Sequence, residues 1–127
     1  PLTLGWLDLD RFKEINDRYG HEEGDKALKV MAQLMRSAFR EADMLVRFGG
    51  DEFAVLFADT DEQGAWIAMQ YLAEQVESYN ARKLHPWSLH FSWGLSEFDH
   101  NGNDLQQWLK DADEKMYAMK QQRQCAR

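Results

Sequence analysis

Between two β-prone runs, Met44 to Phe48 and Phe53 to Ala58, lies Gly49-Gly50-Asp51-Glu52. The pattern predicts a hairpin with a four-residue connection and two carboxylates at its tip. Glycine there admits positive φ, and without a Cβ it lets a bulky ligand reach the main chain. On the turn alone, a plain surface hairpin is the better explanation, because Gly and Asp are common turn residues. Asp8, at the exit of the apolar run Leu2 to Leu9, changes the balance. If that first strand pairs with the strands flanking the turn, Asp8, Asp51 and Glu52 converge at one end of a sheet. Clustered carboxylates repel one another, and a hard divalent cation such as Mg²⁺ relieves the repulsion while keeping positions for phosphate oxygens and water. Such a site suits phosphoryl or nucleotidyl transfer. An acidic surface patch is the bland alternative.

The elements that must position these groups follow from periodicity. Leu2 to Leu9 is apolar on both faces, as a central strand is. A short helix with Phe12, Ile15 and Tyr19 follows, and Gly20 and Gly24 punctuate the turn after it. Leu28, Met31, Leu34, Met35, Ala38 and Phe39 recur at helical spacing over 25–40. Ala65, Met69, Leu72, Ala73 and Val76 mark a second amphipathic helix over 61–79. Leu89, Phe91, Trp93 and Leu95 alternate with His90, Ser92 and Gly94, the period of a strand with one buried face. A last helix carries Leu105, Trp108, Leu109, Ala112, Met116 and Tyr117. The order strand, helix, helix, strand, strand, helix, strand, helix predicts an α/β sandwich, with helices flanking a mainly antiparallel central sheet.

The 127 residues suit one domain, and the 44% apolar, 29% charged composition is that of an ordinary globular protein. Its net charge of −7 has the wrong sign for wrapping a nucleic-acid polymer. The single cysteine, Cys125, excludes an intrachain disulfide and a cysteine-rich zinc site. No stretch has the length of a membrane span, so no direct membrane insertion by this segment is expected. His21, His85, His90 and His100 form no convincing ligand pair by spacing, and Trp66, Trp93 and Trp108 fall where core packing or a dimer surface accounts for them.

Four stretches together carry a resemblance. They are Leu7-Asp8-Leu9-Asp10-Arg11-Phe12-Lys13-Glu14-Ile15-Asn16-Asp17; Tyr19-Gly20-His21 with Gly24-Asp25; Arg47 to Phe53; and Asp111-Ala112-Asp113 with Met116-Tyr117 and Lys120. Over nearly its whole length the chain resembles the GGDEF family of bacterial diguanylate cyclases. The resemblance implies a palm-like nucleotidyl-cyclase fold, and condensation of two GTP into cyclic di-GMP and two pyrophosphates by an antiparallel homodimer. It implies Mg²⁺ or Mn²⁺ held by Asp8, the Leu9 carbonyl and Glu52, with Asp51 assisting deprotonation of the ribose 3′-hydroxyl or sharing the metal. Asn16 and Asp25 would read the guanine edge, with Phe12, Gly49 and Gly50 at the substrate and Lys13 and Lys120 near its phosphates. An aspartate accepts from donors that guanine offers and adenine does not. Asp25 otherwise reads as a helix N-cap.

Arg40-Glu41-Ala42-Asp43 matches the family's Arg-x-x-Asp product-binding site, where the guanidinium holds phosphate or stacks on guanine and Asp43 accepts from the base. The alternative is a helix-end Arg in a weak ion pair. The chain departs from the family after Lys120, reading Gln121-Gln122-Arg123-Gln124 where the family continues with Gly-Arg-Asn and a final strand. The expected unit is a single domain over 1–127, without the family's first helix or an upstream sensory domain, working in the cytoplasm where GTP is found. A module that binds cyclic di-GMP or GTP without turnover is the competing reading, and an interaction domain with a merely solvated acidic turn is the third.

Overall fold

The structure, a computed structural model, describes residues 1–102 and 104–126. The side chains of Gln124, Cys125 and Ala126 lie outside the described residues. Eight elements succeed one another: β1 (Thr3–Leu9), α1 (Phe12–Tyr19), α2 (His21–Ala38), β2 (Met44–Phe48), β3 (Glu52–Phe57), α3 (Glu62–Ala81), β4 (Phe91–Glu97) and α4 (Leu105–Ala126). The strands form one antiparallel sheet in the order β2-β3-β1-β4. The predicted α/β sandwich is therefore the architecture observed.

β1 is central and apolar on both faces, as its sequence requires. Leu7 and Leu9 join Phe53, Val55, Phe57, Trp93 and Leu95 in a core covered by α2 and α3. Each such large side chain contributes about 2 kcal/mol by leaving water. On the other face Leu4 and Ala54 meet Trp108 and Ala112 of α4. Here the structure corrects the expectation for β4: Phe91 through Ser96 are all buried, so both faces are covered. The small residues Ser92, Gly94 and Ser96 are what admit α4. A Cβ on Gly94 would stand 2.2 Å from the Ala112 carbonyl oxygen and 2.4 Å from the Met116 nitrogen. Trp108 Nε1 donates to the Ser96 carbonyl at 2.6 Å and fixes the start of the same helix. Among the described residues no helix is long and apolar enough to cross a membrane.

Two boundaries and one strand pairing differ from the sequence expectation. α2 begins at His21, directly after Gly20, so Gly24 and Asp25 lie inside the helix and Asp25 is not its N-cap. Glu22 and Glu23 in the first turn complement the positive end of the helix. Phe48 pairs with Glu52, which leaves a three-residue connection, Gly49-Gly50-Asp51, of which only Gly50 has positive φ, +67°. β1 pairs with β3 and β4 but not with β2, the sheet's outer strand, which it meets through the Trp6 ring stacked on Phe48 at 4.9 Å.

Candidate active site

In the β1–β3 ladder Asp8 stands directly opposite Glu52. Opposed residues of an antiparallel pair project to the same face, so register alone puts these two carboxylates on one side of the sheet end. Asp51 is the last residue of the turn. Its carbonyl accepts from Leu9 N at 3.2 Å, and its carboxylate lies close enough to Asp8 to push the Asp8 proton affinity upward. The turn that carries Asp51 is braced by Arg47, whose Nη2 and Nε donate to the Gly50 carbonyl at 3.0 and 3.3 Å. In the sequence Arg47 is only the first residue of the motif, and its bracing of the turn is apparent only in the folded hairpin.

Asp8 experiences opposed pressures. Lys120 Nζ donates to its Oδ2 at 2.6 Å, which favours the ionised form. Burial opposes ionisation more strongly, and with Asp51 beside it the Asp8 pKa is pushed up to about 7 from the ordinary 3.8. Its Oδ1 is buried and meets no donor. The same Lys120 ammonium also donates to the Leu9 carbonyl at 3.3 Å. Lys120, expected beside the substrate phosphates, is thus directed at two of the groups expected to hold a metal, Asp8 and the Leu9 carbonyl.

Among the described residues no three His, Cys, Asp or Glu side chains stand together as a metal-holding group. Asp8 and Asp51 are neighbours, Glu52 stands across the ladder from Asp8, and Lys120 brings a positive charge to Asp8. The donor set still fits a hard divalent ion. It offers only oxygens, one of them a buried carboxylate oxygen that meets no donor, and a cation already bridges the Asp8 carboxylate and the Leu9 carbonyl. Asp10, one pleat further on, is committed elsewhere: Ser92 Oγ donates to its Oδ1 at 2.7 Å, and Arg123 lies 3.6 Å from its Oδ2. Arg123 also donates to the Phe91 carbonyl, so it faces β4.

The residues assigned to guanine gather where α1 meets α2. Asn16 Oδ1 lies 1.8 Å, and a Phe12 ring carbon 3.4 Å, from where a Cβ on Gly24 would be. Gly24 is thus the residue that lets Asn16 and Phe12 approach α2 next to Asp25, which is exposed. Sequence reasoning treated Gly24 as turn punctuation. Glu23 anchors the neighbouring loop by accepting from Trp87 Nε1 at 3.0 Å, and Lys26 pairs with it at 2.9 Å. Lys13 is exposed in the first turn of α1, and Gly49 and Gly50 are exposed at the hairpin tip.

Arg40 and Asp43 are brought together as the sequence suggested, and more partners join them. Arg40 Nη2 lies 3.0 Å from Asp43 Oδ1 and also donates to the Ala58 carbonyl at 2.5 Å and Thr60 Oγ1 at 2.8 Å. Asp43 is almost wholly buried and accepts from Arg40 N and Ala58 N as well. Its two oxygens are therefore engaged within the chain, while Arg40 remains largely exposed at the rim of a concavity of about 250 Å³ that Phe39, Phe57, Thr60 and Ile67 also line. This pair lies beyond the Phe57 end of β3, whereas the Asp8 site lies at the Glu52 end. At about 3.4 Å per residue the two sites stand roughly 20 Å apart.

A sheet of this order, with acids at the β1 exit and on a diglycine hairpin, is the arrangement that the resemblance implied. The chain belongs to the GGDEF family: residues 1–125 match the family described as "Diguanylate cyclase, GGDEF domain". It is 36% identical over 126 residues to the cyclic di-GMP phosphodiesterase NbdA of Pseudomonas aeruginosa, covering 99% of this chain and 16% of that protein. It is 32% identical over 124 residues to diguanylate cyclase A of Treponema denticola, covering 94% of this chain and 33% of that protein. The GGDEF domain of DgcB from Caulobacter crescentus, solved in complex with c-di-GMP, superposes with a TM-score of 0.84 at 25% identity, over 94% of this chain and 72% of that one. The chain thus spans a third or less of the length of these two curated relatives.

Proposed function

We propose that this domain is a diguanylate cyclase that joins two GTP molecules into cyclic di-GMP. In each of two steps a ribose 3′-oxygen forms a bond to the α-phosphorus of the other nucleotide, the bond to the departing pyrophosphate breaks, and the 3′-hydroxyl proton is taken up. The observation that carries the reading is the direct opposition of Asp8 and Glu52 beside the turn holding Asp51. Asp8, the Leu9 carbonyl and Glu52 would hold a Mg²⁺ or Mn²⁺ ion, which supplies neutralising charge for the triphosphate. Asp51 accepts the 3′-hydroxyl proton. Asn16 and Asp25 accept from and orient the guanine edge against Phe12, with the accessible backbone of Gly49 and Gly50 at the substrate and Lys13 drawing the phosphates to the start of α1. One domain presents a single such site, so the two nucleotides meet across a homodimer. An upstream sensory domain would control that meeting, on the cytoplasmic side where GTP is available. Arg40 takes the product's phosphate or base at the far end of β3 and slows turnover from there.

A second reading is favoured by one observation, the Lys120 ammonium on the Asp8 and Leu9 oxygens together with Gln124 in place of the family's arginine. Under it the domain binds GTP or cyclic di-GMP as a receptor without turnover. Incubation with GTP and Mg²⁺ followed by nucleotide separation discriminates between the two. Cyclic di-GMP formation that Glu52→Gln abolishes supports the cyclase, binding without product supports the receptor, and failure to bind either nucleotide removes both.

A further inference from the structure

The contact between Lys120 and the acidic end of β1 spans 112 residues of sequence and is the shortest side-chain ion pair in the described structure. Its geometry is unlike that of a surface salt bridge. The two side chains are only 18% and 12% exposed, and the ammonium reaches two oxygens of different kinds, the Asp8 carboxylate at 2.6 Å and the Leu9 main-chain carbonyl at 3.3 Å. A carboxylate and a carbonyl sharing one cation is the way hard metal ions are held, and an ammonium makes the same demand on them with a single charge.

We propose that Lys120 is a tethered cation that occupies the metal ligands of this site until a divalent ion displaces it, so that metal entry and departure of the Lys120 ammonium from Asp8 and Leu9 are one event. The inference rests on the reading of Asp8 as a metal ligand and goes beyond it, because it assigns the metal a resident competitor. α4 is built for such a release. The helix is held to the sheet on both sides of Lys120, at Trp108, Ala112 and Met116 before it and through Met119 to Trp93 N and Arg123 to the Phe91 carbonyl around and beyond it, so the ammonium leaves by side-chain rotation while the helix stays docked. A bare divalent ion would have to turn out a paired ammonium and leave it without an anion. A metal that arrives with phosphates offers the displaced ammonium a new partner, and the site therefore favours the metal–nucleotide complex over the free ion.

The test is titration of the whole chain with Mn²⁺ alone, following loss of the free-ion electron paramagnetic resonance signal. Lys120→Met binds Mn²⁺ roughly tenfold more tightly than wild type, the equivalent of one partly buried ion pair. Binding by Lys120→Met that is no tighter than wild type overturns the proposal. Asp8→Asn in the same titration then shows whether the metal reading fell with it: loss of Mn²⁺ binding keeps Asp8 as a ligand, and unchanged binding removes both. A second measurement needs no variant at Lys120 in the working sample. The Nζ proton resonance of Lys120, assigned by its absence in Lys120→Gln, is observable in wild type without metal and shifts or disappears when diamagnetic Mg²⁺ saturates the site. Persistence of that resonance at saturation overturns the proposal independently.

Discussion

Replacing Asp8 by Asn separates the two forces acting on this carboxylate. If burial governs, the folded protein holds the Asp8 proton up to about pH 7, whereas the unfolded chain releases it near the ordinary 3.8. Between those values the folded state binds more protons than the unfolded one, so stability falls as pH rises. The contribution is fully present below about pH 3.8 and gone above about 7, and it changes by about 1.4 kcal/mol per pH unit inside the window. Over the three units this sums to roughly 4 kcal/mol, an upper figure because water and Lys120 rearrange around the ionised group. The assay is urea unfolding followed by tryptophan fluorescence, in chelator, at half-unit steps from pH 4.5 to 7.5, for wild type and Asp8→Asn. Asn cannot titrate, so the wild-type-minus-variant difference isolates Asp8 and declines with rising pH. If that difference instead grows with pH, the 2.6 Å Lys120 contact governs and the reasoning about burial is wrong. Saturating Mg²⁺ reverses the decline, because a cation on Asp8 favours its ionised form.

Three further outcomes follow from the geometry. Gly94→Ala costs about 3 kcal/mol or more, because the new methyl meets main-chain atoms of α4 that cannot yield; Gly49→Ala, with open space around it, changes stability by no more than about 0.5 kcal/mol, and paired urea titrations compare them. Asp25→Ala leaves stability within about 0.5 kcal/mol because the residue is inside α2 and caps nothing, yet calorimetry with GTP shows weakened binding; a loss of about 1 kcal/mol in stability instead would restore the capping role. Arg40→Ala leaves the initial rate of cyclic di-GMP formation intact and relieves its slowing as product accumulates, followed by nucleotide chromatography; unchanged inhibition removes Arg40 from that role.

Much of this fold is legible in the linear order of residues, because a strand or helix declares itself through local periodicity. Alternation in 91–95, the helical recurrence from Leu28 to Met35 and the apolar run of β1 each predict the element that forms. The diglycine turn and the acids flanking it are likewise local, and their type restricts the chemistry before any coordinates are known. Where a boundary moved, the cause was long-range. Gly24 looked like a helix breaker, and it is tolerated inside α2 because Asn16 of another helix fills the space a side chain would take. β4 looked half-exposed, and it is covered twice because α4 returns to lie on its small residues.

The residues alone therefore determined that this is a GGDEF-type α/β domain with an acidic hairpin and an Arg-x-x-Asp pair. Only the tertiary structure decided what each charge faces. Arg40 gains Ala58 and Thr60 as partners, Arg47 braces Gly50, and Lys120 settles on Asp8 and Leu9. Periodicity reports which side of an element is apolar, a property of near neighbours in sequence. A charge takes its partner from whatever the packed chain brings within a few ångströms, and here that partner came from the other end of the chain.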